Sequence, residues 1–424
     1  MRKWNWQRPV LALAIATAMG GMTSMSYGQA TVEYWDMQWG AGYQEAATAL
    51  AEKFNAEHPD IKVDYHSVSW ANWYETYASA VAAGTEPDAA TGGAFMGVQM
   101  YDAGAVGQLD ELIEQMKADG TYTDFLEGVP ERLQYDGHYI GLPFIIDTRV
   151  WWYRKDMLEQ AGVEPPKNWT EFRAALKAVK EKTGKAGIVI SADATQGLQN
   201  VLVFMINNGG GVYDKDGNYN LVSDRNKEAM QFMSDLVADG SVHEASVGAT
   251  FDQANGLLMS GEAAFVLGQP GFADSLSPED REKVAILPPM EGLHGDKGTL
   301  MWVANIIMFA SAQDKAATMT FIKWWSEHEH ELFAKGAIGG LPPRKSISEQ
   351  VPALGADVNR GNAIDWYVPV AASVGAQAPG LFPQLNILDG DTVLRTLAQD
   401  VLQGGDVTAA LEKADGTLKS VLTE

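Results

Sequence analysis

Residues 54–65 read Phe54-Asn55-Ala56-Glu57-His58-Pro59-Asp60-Ile61-Lys62-Val63-Asp64-Tyr65, and the change of period inside them decides the fold. From residue 40 to Glu57 the apolar positions recur at helical spacing. Pro59 stops the helix, because it has no N–H to donate and its ring clashes with the preceding turn. From Ile61 onward apolar and polar residues alternate at period two, which predicts a strand with one buried face. Outward from there, Val32-Glu33-Tyr34-Trp35 predicts an earlier strand. Residues 71–83 predict a second helix, closed by Gly84. Pro87-Asp88-Ala89-Ala90 predicts a short buried strand ahead of Gly92-Gly93. Strand, helix, strand, helix, strand is the order of an open parallel sheet covered by helices. Such sheets bind ligands outside the carboxyl ends of their strands. That places residues 36–39, 67–73 and 92–96 on one rim.

A second α/β pattern follows. Ile140-Gly141-Leu142-Pro143-Phe144 leads into an apolar strand, Val150-Trp151-Trp152-Tyr153-Arg154. After Pro165-Pro166, Thr170 is expected to cap a helix running to about Lys182. Ile188-Val189-Ile190 predicts a strand. A helix from near Thr195 ends at Asn207-Asn208-Gly209-Gly210-Gly211. Residues 224–239 and 251–260 predict helices, and residues 263–267 a buried strand. Ile306-Ile307-Met308-Phe309 predicts a strand, followed by one long helix over residues 313–335.

Composition narrows the function. The 424 residues carry 31 Lys and Arg against 55 Asp and Glu, for a net charge of −24. A surface this acidic disfavours nucleic acid and anionic lipid, which both need basic patches. Cysteine is absent, so no disulfide, thiolate metal site or lipid-modified Cys is available. Residues 1–30 carry Arg2, Lys3 and Arg8, then a short apolar run, then small Gly28 and Ala30. This is the pattern of a signal peptide cleaved after about Ala30. The mature chain is expected to be a periplasmic protein that is not membrane-embedded.

Several passages, taken in order, resemble the solute-binding proteins of carbohydrate ABC importers, the group that includes maltose-binding protein. They are residues 54–63, Ala83-Gly84-Thr85-Glu86-Pro87-Asp88, Gly141-Leu142-Pro143 with Tyr153-Arg154-Lys155-Asp156, residues 166–172, and Gly340-Leu341-Pro342-Pro343-Arg344. Arg154 departs from the usual Asn of that stretch. The resemblance implies a two-lobe α/β periplasmic-binding-protein fold, each lobe an open mixed sheet flanked by helices, joined by a hinge. It implies an N-terminal lobe of residues 31–145 and 304–345, and a C-terminal lobe of residues 146–303 and 346–424. It further implies a monomer without cofactor or catalytic activity. Such a protein would capture a sugar by hinge bending and deliver it to the transmembrane subunits of an ABC permease.

Sugars present apolar C–H faces and a rim of hydroxyls, so their sites combine aromatic platforms with fixed donors and acceptors. Of 13 Trp, Trp35, Trp39, Trp70, Trp73 and Trp302 fall on predicted loops or strand ends, and Trp39, Trp70 and Trp302 are the candidates for the cleft. Asp36, Gln38 and Asn72 lie beside them, and Phe95 lies on the third rim segment. Trp151, Trp152, Trp324 and Trp325 are left to the core or surface. Asp147 and Arg149 follow Pro143 at the expected crossing between lobes. Arg344 follows Pro342-Pro343, and the resemblance brings it to the cleft. Two arginines there would admit an anionic sugar. Gly210 would let backbone approach the ligand. A polyamine receptor and a periplasmic glycosidase are the alternatives. No Gly-x-Ser-x-Gly elbow supports a serine hydrolase, and His328 and His330 diverge on a helix, so no metal site is expected.

Overall fold

A computed structural model describes residues 29–423 apart from 41, 71–72, 194–195, 337 and 379. Asn72 and residues 1–28 of the expected leader lie outside the described residues. Strands β1 (Ala30–Met37), β2 (Ile61–Val68) and β3 (Ala89–Thr91) run parallel, with β1 in the middle. The helices Tyr43–Glu57 and Trp73–Ala83 connect them. Gly42, at φ +75°, makes the turn into the first helix, a conformation that suits glycine. The period-two reading of β1 has a strict consequence: Val32, Tyr34 and Asp36 all face inward and are fully buried.

A small hairpin of β4 (Gln134–Tyr135) and β5 (His138–Tyr139) precedes β6 (Leu142–Thr148). A second sheet contains β7 (Val150–Arg154), β8 (Ala186–Val189), β9 (Ala263–Gly268) and β10 (Val284–Ile286), in the order β10-β7-β9-β8. The long β11 (Thr299–Met308) then returns to the first sheet, and β12 (Ala371–Ala372) pairs with its start. At its far end β11 lies antiparallel to β3, and along its length antiparallel to β6. Each sheet has its own aromatic core. Tyr34 meets Phe321 and Trp325 at 4.9 and 5.1 Å in the first, and Trp169 stacks on Phe232 at 4.3 Å in the second. Trp151, Trp152, Trp324 and Trp325 are core residues.

Four local expectations are corrected. The helix Trp169–Thr183 is capped by Asn168, whose side chain accepts from the Glu171 N–H, and not by Thr170, which lies inside the first turn. Residues 313–335 form two helices, Lys315–His328 and His330–Ala334, that meet at Glu329, which keeps helical dihedrals and is fully buried. Trp35 and Trp302 lie within β1 and β11, not at strand ends, and Trp73 opens a helix. The strand expected at residues 87–90 runs over Ala89–Thr91.

Candidate functional site

Strands β6 and β11 of the first sheet lie side by side, and their register sets Asp147 opposite Trp302. Directly opposed residues share a face of the pair, so Arg149, two residues on, joins them. The Arg149 backbone is fixed at both ends: its N–H donates to Leu300 O at 2.9 Å, and its carbonyl accepts from Thr299 Oγ1 at 2.6 Å. Its guanidinium forks onto Asp147, Nη1 to Oδ1 at 2.5 Å and Nη2 to Oδ2 at 3.1 Å, while Nε donates to Gln199 Oε1 at 2.6 Å. The planar group lies over the Trp302 indole, 4.8 Å from the ring centre, in the manner that suits arginine rather than lysine. Trp302 Nε1 donates to Asp389 Oδ1 at 2.8 Å, and Gln269 Nε2 donates to Asp147 Oδ1 at 3.2 Å. Burial pushes Asp389 up to about 6; the Trp302 bond and the Arg149 charge pull against this, and the Asp147 charge adds to it. Asp147 keeps 27 % of its side chain exposed while Arg149 keeps 4 %. The carboxylate is therefore the half of the pair that remains open to a ligand.

A second group stands at the carboxyl ends of β1 and β2. Trp39 meets Trp70 edge-on at 5.0 Å, and Trp70 meets Trp73 at 6.0 Å. Trp70 is 39 % exposed, one of only three exposed large apolar side chains among the described residues, and its Nε1 donates to the Gln38 carbonyl at 2.9 Å. Gln38 itself is exposed. Trp39 also meets Phe144 of β6 at 5.5 Å. Ala304 and Asn305 of β11 pair with Ile145 and Pro143, so Phe144 is the extra residue of a bulge. A bulge re-aims its side chain, and here the ring turns to the rim tryptophan. Asp147 follows three residues later, about 10 Å along the strand at ~3.3 Å per residue. Strand β6 thus carries both groups.

The structure brings Gln38, Trp39 and Trp70 together, and likewise Asp147, Arg149 and Trp302. Asp36, Gly210 and Arg344 are taken up by internal contacts, and Phe95 lines a separate cavity. Asp36 is fully buried and accepts from the Tyr43 and Thr91 hydroxyls, so it offers nothing to a ligand. Phe95 is buried and lines a cavity of about 380 Å³ with Met301 and Val303, on the face of β11 opposite Trp302. Gly210 is packed against Asn226: a Cβ there would stand 2.2 Å from Asn226 Oδ1, so the missing side chain serves helix packing. Arg344 is 2 % exposed, lies over the Phe125 ring, and donates to Ser326 Oγ, the Thr121 carbonyl and Asp124. The preceding prolines fix the backbone but do not say which way the next side chain points.

Gln199, Gln269 and Asp389 were missed. Gln199 had a weak signal: it is one of four buried amides on the helix Gln196–Asn207, each of which needs a partner, and nothing separates it from Gln196, Asn200 and Asn207. Gln269 had one too, directly after a buried strand. Nothing in the sequence marks Asp389.

The sequence pattern described as bacterial extracellular solute-binding protein matches residues 39–331. The chain belongs to this family. A sugar transporter protein of Arthrobacter chlorophenolicus A6, solved with bound laminaribiose, is 33 % identical to this solute-binding protein; the match covers 92 % of this chain and 99 % of that one, with a TM-score of 0.80. The lactose-binding protein of Rhizobium radiobacter is 26 % identical over 86 % of this chain and 88 % of its own length. A sn-glycerol-3-phosphate-binding periplasmic protein of Agrobacterium fabrum is 27 % identical over 71 % of each. Among the described residues of the solute-binding protein, no helix is long and apolar enough to cross a membrane.

Proposed function

We propose that this solute-binding protein captures a neutral sugar or short oligosaccharide between its lobes, and that it hands the sugar to the transmembrane subunits of an ABC permease. The observation that carries the reading is the Asp147–Arg149–Trp302 group on the crossing strands, with the Trp39–Trp70 pair at the rim of the first sheet. Indole faces suit the C–H faces of a pyranose, and Asp147, Gln199 and Gln269 suit its hydroxyls. Arg149 is matched by Asp147, Asp389 adds a further acid, and Arg344 is occupied elsewhere. The two free arginines that an anionic sugar would call for are therefore not assembled, which favours a neutral ligand. The similarity to a laminaribiose-bound relative supports a β-linked glucose disaccharide as the first probe.

The lobe limits we propose are residues 31–145 with 304–345, and residues 146–303 with 346–424. Strands β6 and β11 are two of the crossings. The paired backbones of Ile146 and Leu341, at 2.8 and 2.9 Å, supply the third. Ligand would favour the closed lobes by its greater affinity for them. The working form is a cofactor-free monomer in the periplasm, released from a leader cut after about Ala30.

The test is a thermal-shift and calorimetry screen of the mature chain. Laminaribiose, maltose, lactose, a glucuronide, glycerol 3-phosphate and spermidine are each supplied at ~100 times a micromolar Kd. A ligand of the folded state then adds about 2.7 kcal/mol. A shift with one neutral sugar, recovered unaltered, is the expected result. A shift with glycerol 3-phosphate or spermidine alone rejects the sugar reading, and consumption of the sugar rejects the binding reading in favour of a glycosidase.

A further inference from the structure

We infer that Asp36 is a positioning residue of the cleft: its carboxylate, shared by the Tyr43 and Thr91 hydroxyls, holds the tips of β1 and β3 and the start of the first helix in the arrangement that carries Trp39 to the rim. The inference rests on the cleft reading above. Asp36, Tyr43 and Thr91 are fully buried. The Met37 N–H donates to Thr91 Oγ1 at 2.9 Å, Thr91 donates to Asp36 Oδ1 at 2.6 Å, and Tyr43 donates to Asp36 Oδ2 at 2.7 Å. The Tyr77 hydroxyl bridges the same two strands, donating to Thr91 O at 2.7 Å with Trp35 O within reach at 3.3 Å. This chain of bonds spans three segments that sequence leaves far apart. Trp39 follows Asp36 by three residues, with the Gln38 N–H tied to Val68 O at 3.1 Å.

The Thr91 and Tyr43 hydroxyls, and more distantly the Tyr65 hydroxyl at 3.5 Å, all donate to the carboxylate, so the ionised form is the one this geometry serves. A protonated Asp36 gains a donor, so a hydroxyl that now donates to it must turn to accept, and the bonding order around the carboxyl changes. Facing it are Tyr34 on its own strand, Tyr43 on the first helix, Tyr65 on β2, Tyr77 on the second helix and Thr91 on β3. Glu329, at the break between the two later helices, is coupled to Asp36 by charge and is itself opposed by Arg344. Burial raises Asp36 to about 6, against the pull of its hydrogen bonds, and raises Glu329 well above the ordinary carboxyl range. Mild acid therefore discharges Asp36. That relieves the cost of a buried charge and at the same time reorders the buried hydroxyls that hold the strand tips. Stability and affinity then move in opposite directions, which a purely structural acid would not produce.

The experiment follows laminaribiose affinity, melting temperature and the Met37 amide resonance of the mature chain between pH 7.5 and 5. In the wild type, affinity is expected to fall about fivefold or more as the melting temperature rises, and the ligand-free Met37 amide is expected to titrate near the Asp36 value. Asp36→Asn is expected to bind about fivefold or more weakly at pH 7.5, with a silent Met37 amide. Thr91→Ser should retain wild-type behaviour and Thr91→Val should copy Asp36→Asn. Asp389 titrates in the same range, so the affinity slope is read as the difference between wild type and Asp36→Asn, and the Met37 amide reports on Asp36. Wild-type affinity in Asp36→Asn at pH 7.5, or a Met37 amide that does not titrate, overturns the inference. If laminaribiose does not bind at any pH, the sugar reading loses its first probe while the amide titration still decides the role of Asp36. Should Asp36→Asn not fold, Tyr43→Phe removes one of the two close donors and is held to the same outcomes.

Discussion

Trp302 works with two parts of one ring: its face carries the Arg149 guanidinium and its N–H is fixed by Asp389. Trp302→Phe keeps an aromatic face and drops the N–H. A hydrogen bond to a charged partner contributes about 1.5–3 kcal/mol, so calorimetry is expected to show sugar affinity lowered about tenfold or more. Gly210→Ala separates packing from binding. Its Cβ would collide with Asn226 Oδ1, so denaturant titration should show a loss of about 1–3 kcal/mol, as overpacked cores do, with sugar affinity unchanged. At this scale the sequence was informative where backbone geometry settles the side chain. Asp147 and Arg149, both on the odd positions of a strand crossing, came out together. Asp36 was misread although its signal was present: Val32, Tyr34 and Asp36 alternate at period two, and the first two are plainly core residues. Arg344 could not be read, because nothing in its neighbours in sequence announces Phe125, Asp124 and Ser326.

Among the elements, periodicity identified the alternating β-α-β-α-β passage and most later helices, and it failed where both faces are buried. Residues 299–305 are buried apart from the half-buried Trp302, so they show no alternation from which to tell strand from helix. That is why β11 was expected to start at Ile306, seven residues late. Helix ends are a second weakness, since Asn168 and Thr170 are both good caps and only the chain direction decides between them. The structure assigns the cap to Asn168, whose Oδ1 accepts from the Glu171 N–H at 2.9 Å while Glu171 reaches back to the Lys167 N–H. Asn168→Ala should cost about 1 kcal/mol in urea unfolding, and Thr170→Ala no more than about 0.5 kcal/mol.

For the whole molecule, the buried acids Asp36, Asp389 and Glu329, all raised by burial, set an unusual pH response. Burial is the largest cause of the rise to about 6 in both Asp36 and Asp389. An acid whose folded value exceeds its unfolded value costs stability when ionised. The cost shrinks as pH falls through the folded value toward the unfolded one. Between pH 7 and pH 5 Asp36 and Asp389 should each return on the order of 1 kcal/mol, and melting temperature in differential scanning calorimetry should rise. Well below that window the balance reverses. Asp119, held down to about 2 by Thr121, and Asp239, lowered by its hydrogen bond from Arg173, then lose their charge.

Strand β11 also imposes an order in time. Its partners β3 and β6 emerge early from any machine that makes or threads the chain from its N-terminus, but β11 itself follows only after residues 150–298. Until then the edge of β3 is an unpaired row of N–H and C=O groups, open to another strand. The N-terminal sheet is therefore the first begun and among the last completed. A fragment cut before Thr299 would keep that edge exposed, and its failure in solution would be aggregation rather than weak binding.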